Sequence, residues 1–584
     1  MDAKAHFHGK RITVMGLGLL GRGVGDARYL AECGAELIVT DLKTREELAE
    51  SVAQLESFSN ITFIFGEHRL EDFRDRDLIL KAAGVPFDSP YIAEAKKHKI
   101  PVRMSADLFA EISKISIIGV TGTRGKSTVA HMVYAILKEA GRKAVLGGNV
   151  RGVSNLELLK EVTSEHTAVL ELDSWQLQGW GDAKMSPYIA VFTTLYPDHL
   201  NYYGSTSLTT GTNNLDAYLA DKANIFRFQK PADTLILGKQ CAPTIIDTYG
   251  EQIESKTSII DETKIPDTWV LKVPGMHNRY DAALALAAAR AAGAPDETSR
   301  KALEVFVGVP GRLELVREVK GVKIYNDTTS TTPEATLAAL SAFDPAHTIL
   351  VMGGADKILD MEVLLARLPE TKKVIALAGS GTERIKSQLP EGTVTYHSIF
   401  DATAAALCAA GLGDIVLLSP AFASFGMFKN EFDRGDQFNT LIRNIPDISL
   451  LKPKVRELAG RLITECERRG FAVVVSRAFR TSEEQDEFYA QGRTKSGAII
   501  TMAQGGSSFH NYGVAFDIKP IVTDGDEKTR AELYRKAGKI GMDLGLEWGG
   551  IWKEFVDPPH FQYTAGYSIE DFKNGRIEEE KFSL

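Results

Sequence analysis

Ser116-Ile117-Ile118-Gly119-Val120-Thr121-Gly122-Thr123-Arg124-Gly125-Lys126-Ser127-Thr128 is an apolar strand running into a glycine-rich loop, and Val129 to Ala140 continues as a helix. In that order, backbone N–H groups and a helix N-terminus can wrap phosphate oxygens. Lys126 can neutralise charge on the outer phosphates, and the Ser127 hydroxyl can reach Mg²⁺. The stretch predicts an α/β fold with a nucleotide site made by Gly122, Thr123, Arg124, Gly125, Lys126, Ser127 and Thr128.

Upstream, Arg11 to Met15 is a short apolar run entering Gly16-Leu17-Gly18-Leu19-Leu20-Gly21, and Glu36 to Thr40 is a second run ending at Asp41. This is the pattern of a nucleotide-binding βαβ unit, although glycines that merely close a tight turn read the same way. Downstream, strand and helix patterns alternate to about residue 300 and end in an alanine-rich helix, Asp281 to Ala292. A third α/β block follows, with strands at 322–325, 348–352, 373–378 and 414–418. The segment 443–451, with Pro446 inside it and Pro453 just beyond, is the expected linker to an α+β domain. The expected domains are 1–112, 113–307, 308–445 and 446–584.

The 584 residues exceed one hydrophobic core. A net charge of −9 argues against nucleic acid as the main partner. Cys33, Cys241, Cys408 and Cys466 form no CxxC pair, so neither a disulfide framework nor a thiolate metal site is expected. No apolar run is long enough to span a membrane, and the first ten residues hold no signal-peptide core, so cytoplasmic residence is expected.

Near the other end, His510 and Asp517 lie seven apart across Gly513, and His560 follows Asp557-Pro558-Pro559. Two histidines and one carboxylate can hold zinc with a position left for water. Asp557 is placed to act as general base, and Arg480 to steady an oxyanion.

The loop resembles that of the Mur ligase family of ATP-dependent amino-acid ligases, and further segments match in order. Gly147-Gly148-Asn149, Glu171-Leu172-Asp173-Ser174-Trp175-Gln176-Leu177, Asp198-His199, Lys222, Gly275-Met276-His277-Asn278, Pro310-Gly311-Arg312 and Asn326-Asp327 all resemble family motifs. The resemblance implies two Mg²⁺ sites, held by Ser127, Glu171, His199 and a carbamylated Lys222. It implies ATP contacts from Asn278, Arg312 and Asp327, and Lys126, His199 and Lys222 as catalytic residues. The first unit and Leu418 to Phe425 resemble the branch that adds glutamate to UDP-N-acetylmuramoyl-L-alanine. Gly18, Leu19, Leu20, Asp41 and Leu42 would then hold the UDP end rather than a dinucleotide, with Asn149 and Gln176 as further substrate contacts. Lys357, Ser424 and Phe425 would hold the glutamate.

Three departures stand out. Thr329 falls where the family carries a lysine, Asp173 replaces a serine, and Asp281 replaces an asparagine. The first two leave D- and L-glutamate both open as acceptor, and the third bears on the adenine contact. A folate-type polyglutamate ligase shares the central loop but lacks the first unit.

The tail resembles the D-alanyl-D-alanine carboxypeptidase and L-alanyl-D-glutamate endopeptidase family of zinc peptidases, through Ser508 to Asp517, Asp557 to Phe561, and Glu547 to Trp552. That implies Zn²⁺ on His510, Asp517 and His560, with peptidoglycan-derived peptides as substrates. A metal-free module that binds wall peptides is the alternative. The whole predicts a three-domain Mur ligase fold, with a Rossmann-like N-terminal domain, a central phosphate-loop ATPase domain and a Rossmann-like C-terminal domain, followed by an α+β zinc peptidase domain.

Overall fold

The computed structural model describes residues 3–19, 21–86, 88–198, 203 and 214–584. Leu20 and His199 lie outside the described residues, so the roles expected of them are not addressed by the structure. The chain forms two compact units, 1–309 and 310–584.

The first unit contains two parallel sheets. In the first, β1 (Arg11–Met15), β2 (Glu36–Asp41), β3 (Ile61–Phe65), β4 (Leu78–Lys81) and β5 (Val102–Arg103) lie in the order β3-β2-β1-β4-β5. In the second, β6 (Ser116–Thr121), β7 (Ala144–Gly148), β8 (Thr167–Glu171), β9 (Ile189–Phe192), β10 (Thr234–Gly238) and β11 (Lys256–Ile260) lie in the order β11-β10-β9-β6-β8-β7. Helices cover both faces of such a sheet, so its inner strands read as unbroken apolar runs rather than as alternation. Ile189–Phe192, buried at every position, is one of them. The helix Lys126–Glu139 and the alanine-rich helix Met276–Ala291 pack together over β6, β8 and β9 in one core. The alanines keep side-chain bulk low where the two helices meet.

In the second unit, β12 (Glu314–Val319), β13 (Val322–Asn326), β14 (Thr348–Gly353), β15 (Lys373–Leu377), β16 (Val394–Tyr396) and β17 (Ile415–Leu418) form a sheet ordered β12-β13-β17-β14-β15-β16. Only β12 is antiparallel. The remainder of the unit carries β18 (Val473–Arg477), β19 (Ala515–Pro520), β20 (Glu547–Trp548) and β21 (His560–Gln562), an antiparallel sheet ordered β18-β19-β21-β20. The helices Pro453–Arg468 and Glu527–Asp543 share its apolar core. Parallel α/β sheets followed by a small antiparallel α+β sheet are the predicted fold class. No helix among the described residues is long and apolar enough to cross a membrane.

Candidate active sites

The phosphate loop leaves β6 at Thr121 and enters its helix at Lys126. Gly122 and Gly125 both have positive φ, 137° and 84°. A Cβ on Gly122 would lie 2.1 Å from Thr193 Oγ1, and one on Gly125 would lie 2.4 Å from Asp281 Oδ1. Glycine is therefore required at both positions for shape as well as for dihedral freedom. The segment after β9 fixes the loop: Thr123 N–H donates to Thr194 O at 2.7 Å, and Arg124 N–H to Thr194 Oγ1 at 2.9 Å. Lys126 Nζ donates to Gly122 O and Thr123 O, both at 3.0 Å, and so folds back over the loop.

Glu171 ends β8 beside Val120 of β6, which brings its buried carboxylate next to the loop. Lys222, on the helix Asn214–Ala223, is fully buried and donates to Gly122 O at 2.9 Å. Burial, then the charge of Lys126, holds its amine well below the usual lysine range. Asn278 is buried at the start of its helix and donates to Pro274 O at 2.6 Å. The structure thus gathers Lys126, Ser127, Glu171 and Lys222 around one loop.

A cavity of about 220 Å³ opens at the C-terminal ends of β1 and β4, between which the strand order reverses. Crevices at such switch points are where open α/β sheets bind ligands. Gly18, Leu19 and Gln176 line it. Asp41 shapes its glycine turn, accepting from Gly18 N–H at 3.0 Å. Leu42 is exposed, and Asn149 accepts a hydrogen bond from Arg22. Arg22 and Lys81 also line the cavity, and sequence reading had missed both. Lys81 ends the strand Leu78-Ile79-Leu80-Lys81, and a buried lysine closing an apolar run was the available signal. Burial pushes its amine down to about 8.

In the second unit, the loops after β13, β17 and β14 meet at the C-terminal edge of neighbouring strands. Ala421 N–H donates to Ser330 O at 2.9 Å, while Ala355 and Ala423 exchange backbone bonds at 2.9 and 3.1 Å. This brings together Lys357, whose Nζ donates to Thr331 Oγ1 at 2.8 Å, buried Ser424 and exposed Phe425. Arg312 is exposed. Asp327 is buried and serves its own domain: it accepts from Leu313 N–H at 3.1 Å and Ser419 Oγ at 2.8 Å. Burial raises its carboxyl to about 6. Behind Thr328, where the family's neighbouring lysine is replaced, Arg434 is wholly buried and donates to Thr328 O at 2.8 Å.

The peptidase-like centre follows from register. Arg477, Asp517 and His560 are partners across β18, β19 and β21, so they lie side by side. His510 enters on the short helix Phe509–Tyr512, whose N-cap is Ser508 and which ends at Gly513 with φ 68°. His510 Nε2, Asp517 Oδ1 and His560 Nδ1 form a buried triangle with edges of 3.2, 3.1 and 3.3 Å. Tetrahedral zinc with bonds near 2.0–2.1 Å needs ligand atoms about 3.3 Å apart, so the donor set fits that ion.

The outer partners fix the tautomers. His510 Nδ1–H donates to Ala478 O at 2.6 Å, and His560 Nε2–H to Gln562 Oε1 at 3.0 Å. Each ring thereby turns a lone pair inward, as ligating histidines require. Glu547 holds Gln562 in turn, accepting from its Nε2 at 2.7 Å. Trp548 Nε1 donates to Pro558 O at 2.8 Å and steadies the loop that carries Asp557. Asp557 is half-buried, and burial and then Asp517 raise its carboxyl. Arg480 donates to Asp517 Oδ2 and Gln485 Oε1, both at 3.0 Å. Its guanidinium holds the far oxygen of the carboxylate whose near oxygen faces the triangle. Gln562 and Gln485 were given no role from sequence, because a glutamine carries no spacing signature of its own, and Glu547 stood there only as the first residue of a matching segment.

Family profiles match in the same places: "Mur ligase MurD-like, N-terminal domain" over residues 10–104, "Mur ligase middle domain" over 120–289, "Mur ligase, glutamate ligase domain" over 311–422, and "D-alanyl-D-alanine carboxypeptidase" over 501–563. The UDP-N-acetylmuramoylalanine–D-glutamate ligase of Roseiflexus sp. is 36% identical over 472 residues, 75% of this chain and 99% of that protein. The enzyme of that name from Streptococcus thermophilus is 34% identical over 465 residues, 76% of this chain and all of that one. Among solved structures, UDP-N-acetylmuramate–alanine ligase from Thermotoga maritima superposes with a TM-score of 0.50 at 17% identity, covering 74% of this chain and 99% of that one, a likeness of fold. The chain therefore belongs to the Mur ligase family, in its UDP-N-acetylmuramoylalanine–D-glutamate ligase branch, and carries a peptidase domain of the D-alanyl-D-alanine carboxypeptidase family at its C-terminal end.

Proposed function

We propose that the chain both forms and cleaves an alanyl–glutamate linkage. The ligase part joins glutamate, in the D form, to UDP-N-acetylmuramoyl-L-alanine at the expense of ATP. The observation that carries this reading is the phosphate loop with Glu171 and Lys222 at its edge. The relatives' names support the D-acceptor, and the departures at Thr329 and Asp173 keep L-glutamate as the second reading.

In the reaction, the loop amides and Lys126 hold the phosphates of ATP, and the alanyl carboxylate attacks the γ-phosphorus, releasing ADP. The glutamate amine then attacks the acyl carbon of the acyl phosphate, loses a proton and expels inorganic phosphate. Lys357 and Ser424 hold the glutamate. Magnesium, when bound by Ser127, Glu171 and Lys222 carrying a carbamate, neutralises charge on the transferring group. Lys222 is buried against the carbonyl of Gly122, a setting that suits an uncharged amine, the form that takes up carbon dioxide.

The peptidase part hydrolyses an L-alanyl–D-glutamate bond in wall-derived peptides. Zinc, when held by His510, Asp517 and His560, acidifies water and polarises the scissile carbonyl. Asp557 takes the proton from the attacking water and returns it to the leaving amine. Arg480 fixes Asp517, and its positive charge beside the centre favours the developing oxyanion.

The test supplies ATP, Mg²⁺ and UDP-N-acetylmuramoyl-L-alanine with D- or L-glutamate, then L-alanyl–D-glutamyl peptides with zinc, and reads the products by mass. Ligation of D-glutamate and zinc-dependent scission are expected. Product with L-glutamate alone would replace the acceptor assignment. Tight peptide binding without scission would make the tail a binding module.

A further inference from the structure

The peptidase domain is held to the glutamate-ligase domain at two places. One is covalent and short. Arg317 Nη1 donates to the carbonyls of Ile442, Arg443 and Ile445 at 3.2, 3.1 and 2.9 Å, gripping the end of the helix Glu431–Arg443. Ile445 packs on the ligase-domain core, and Ile448, three residues on, packs on the peptidase core. Such a connection has no slack.

The second attachment is non-covalent and starts where β19 ends, three residues after Asp517. Asp401, in the first turn of the helix Ile399–Ala409, is completely buried. Its Oδ1 accepts from Val522 N–H at 3.0 Å and Arg530 Nη1 at 3.2 Å, and its Oδ2 from Arg530 Nη2 at 3.1 Å. Arg530 also donates to Pro520 O and thereby ties down the last residue of β19. Around this pair, His397 N–H donates to Thr523 O at 3.0 Å, Lys519 Nζ lies 3.8 Å from the Phe400 ring centroid, and Ile521 packs into the ligase-domain core. A buried bidentate pair is costly to break, because the surviving partner keeps an uncompensated charge.

We infer that Asp401, a residue of the ligase domain, is a positioning residue of the peptidase centre. Through Arg530 and Val522 it holds the end of the strand that carries Asp517, so the glutamate-ligase and peptidase domains form one mechanical body. Any displacement of the ligase domain therefore carries the peptidase centre with it. The part of this that concerns the metal rests on the zinc reading of the triangle. The chemistry also explains why the pair is a charged one: a bidentate carboxylate fixes direction as well as distance, which a purely apolar patch does not.

The full-length chain tests this by hydrogen–deuterium exchange of residues 515–523, together with zinc affinity measured by competition with a chromogenic chelator. Asp401→Asn should speed exchange in 515–523 and weaken zinc binding on the order of tenfold, the usual effect of losing a residue that supports metal ligands. Adding Arg530→Gln relieves the stranded charge without rebuilding the link to Asp401 and Pro520, so both defects should persist; their recovery would assign them to the uncompensated charge alone and overturn the inference. Glu527→Gln, which removes only the exposed partner of Arg530, should change neither. Unaltered exchange and zinc affinity in Asp401→Asn would overturn the inference. So would lost protection spreading through β13–β17, since Asp401 would then be holding only its own domain together. Should the wild-type chain bind no zinc, the metal reading falls, and the exchange measurement alone decides the mechanical coupling.

Discussion

Asp26 illustrates how a single residue can carry a site and a cost together. It lines the N-terminal cavity, accepts from Ser154 Oγ at 2.6 Å and from Leu156 N–H at 3.2 Å, and is raised by burial to about 6. A carboxyl raised in the folded state favours folding most when protonated. Stability from this group should therefore fall as pH rises from about 4 to about 6, by at most about 3 kcal/mol. Asp26→Asn should flatten that part of the stability–pH curve in denaturant melts, and an unchanged slope would assign it to other groups. Gln562 makes a second residue-scale case. Gln562→Leu removes the acceptor for His560 Nε2–H, and zinc affinity should drop about 10- to 100-fold with the fold retained, as read by metal titration and circular dichroism.

Among the elements, the phosphate loop and β19 were readable for different reasons. The loop is contiguous, and its glycines answer to local sterics: Gly122→Ala would combine a φ of 137° with a contact 2.1 Å from Thr193 Oγ1. Ligation should fall at least 100-fold, while zinc-dependent peptide scission by the same protein stays at the wild-type rate. On β19 the spacing from His510 to Asp517 reflects a short helix, a left-handed glycine and one strand, again a local construction. His560 is 43 residues further on, and only its pairing with Asp517 across β19 and β21 places it in the triangle. The motif named the residue, and the register explains its position. Asp327, expected among the ATP contacts, was legible only as an acid after a strand, and the fold adds that its oxygens accept from Leu313 and Ser419.

At the scale of the whole chain, the proposed function gives one protein a site for making an amide and a site for cleaving one, each with its own metal. Treatment with 1,10-phenanthroline in excess Mg²⁺ should abolish scission and leave ligation intact, as read by product mass. Loss of both would mean that zinc also supports the ligase fold. The UDP-linked ligation product should resist the peptidase, since its rapid hydrolysis would turn the pair of activities into net ATP hydrolysis. Incubating that product with the zinc-loaded chain decides the point.

What the sequence determined by itself is the chemistry that local constructions encode: the glycine loop around phosphates, the alternation of strand and helix, and the ligand types of the metal triangle. These follow from dihedral freedom, capping and periodicity, all of which act over a few residues. Only the tertiary structure decided that Lys81 lines the N-terminal cavity, that Arg480 and Gln562 hold Asp517 and His560, and that Asp401 reaches Arg530. Asp401 and Arg530 are 129 residues apart, and no periodic pattern links them. Their partnership exists because two separately folded sheets bury the same small surface, where a lone charge would be prohibitively costly and a matched pair is stable.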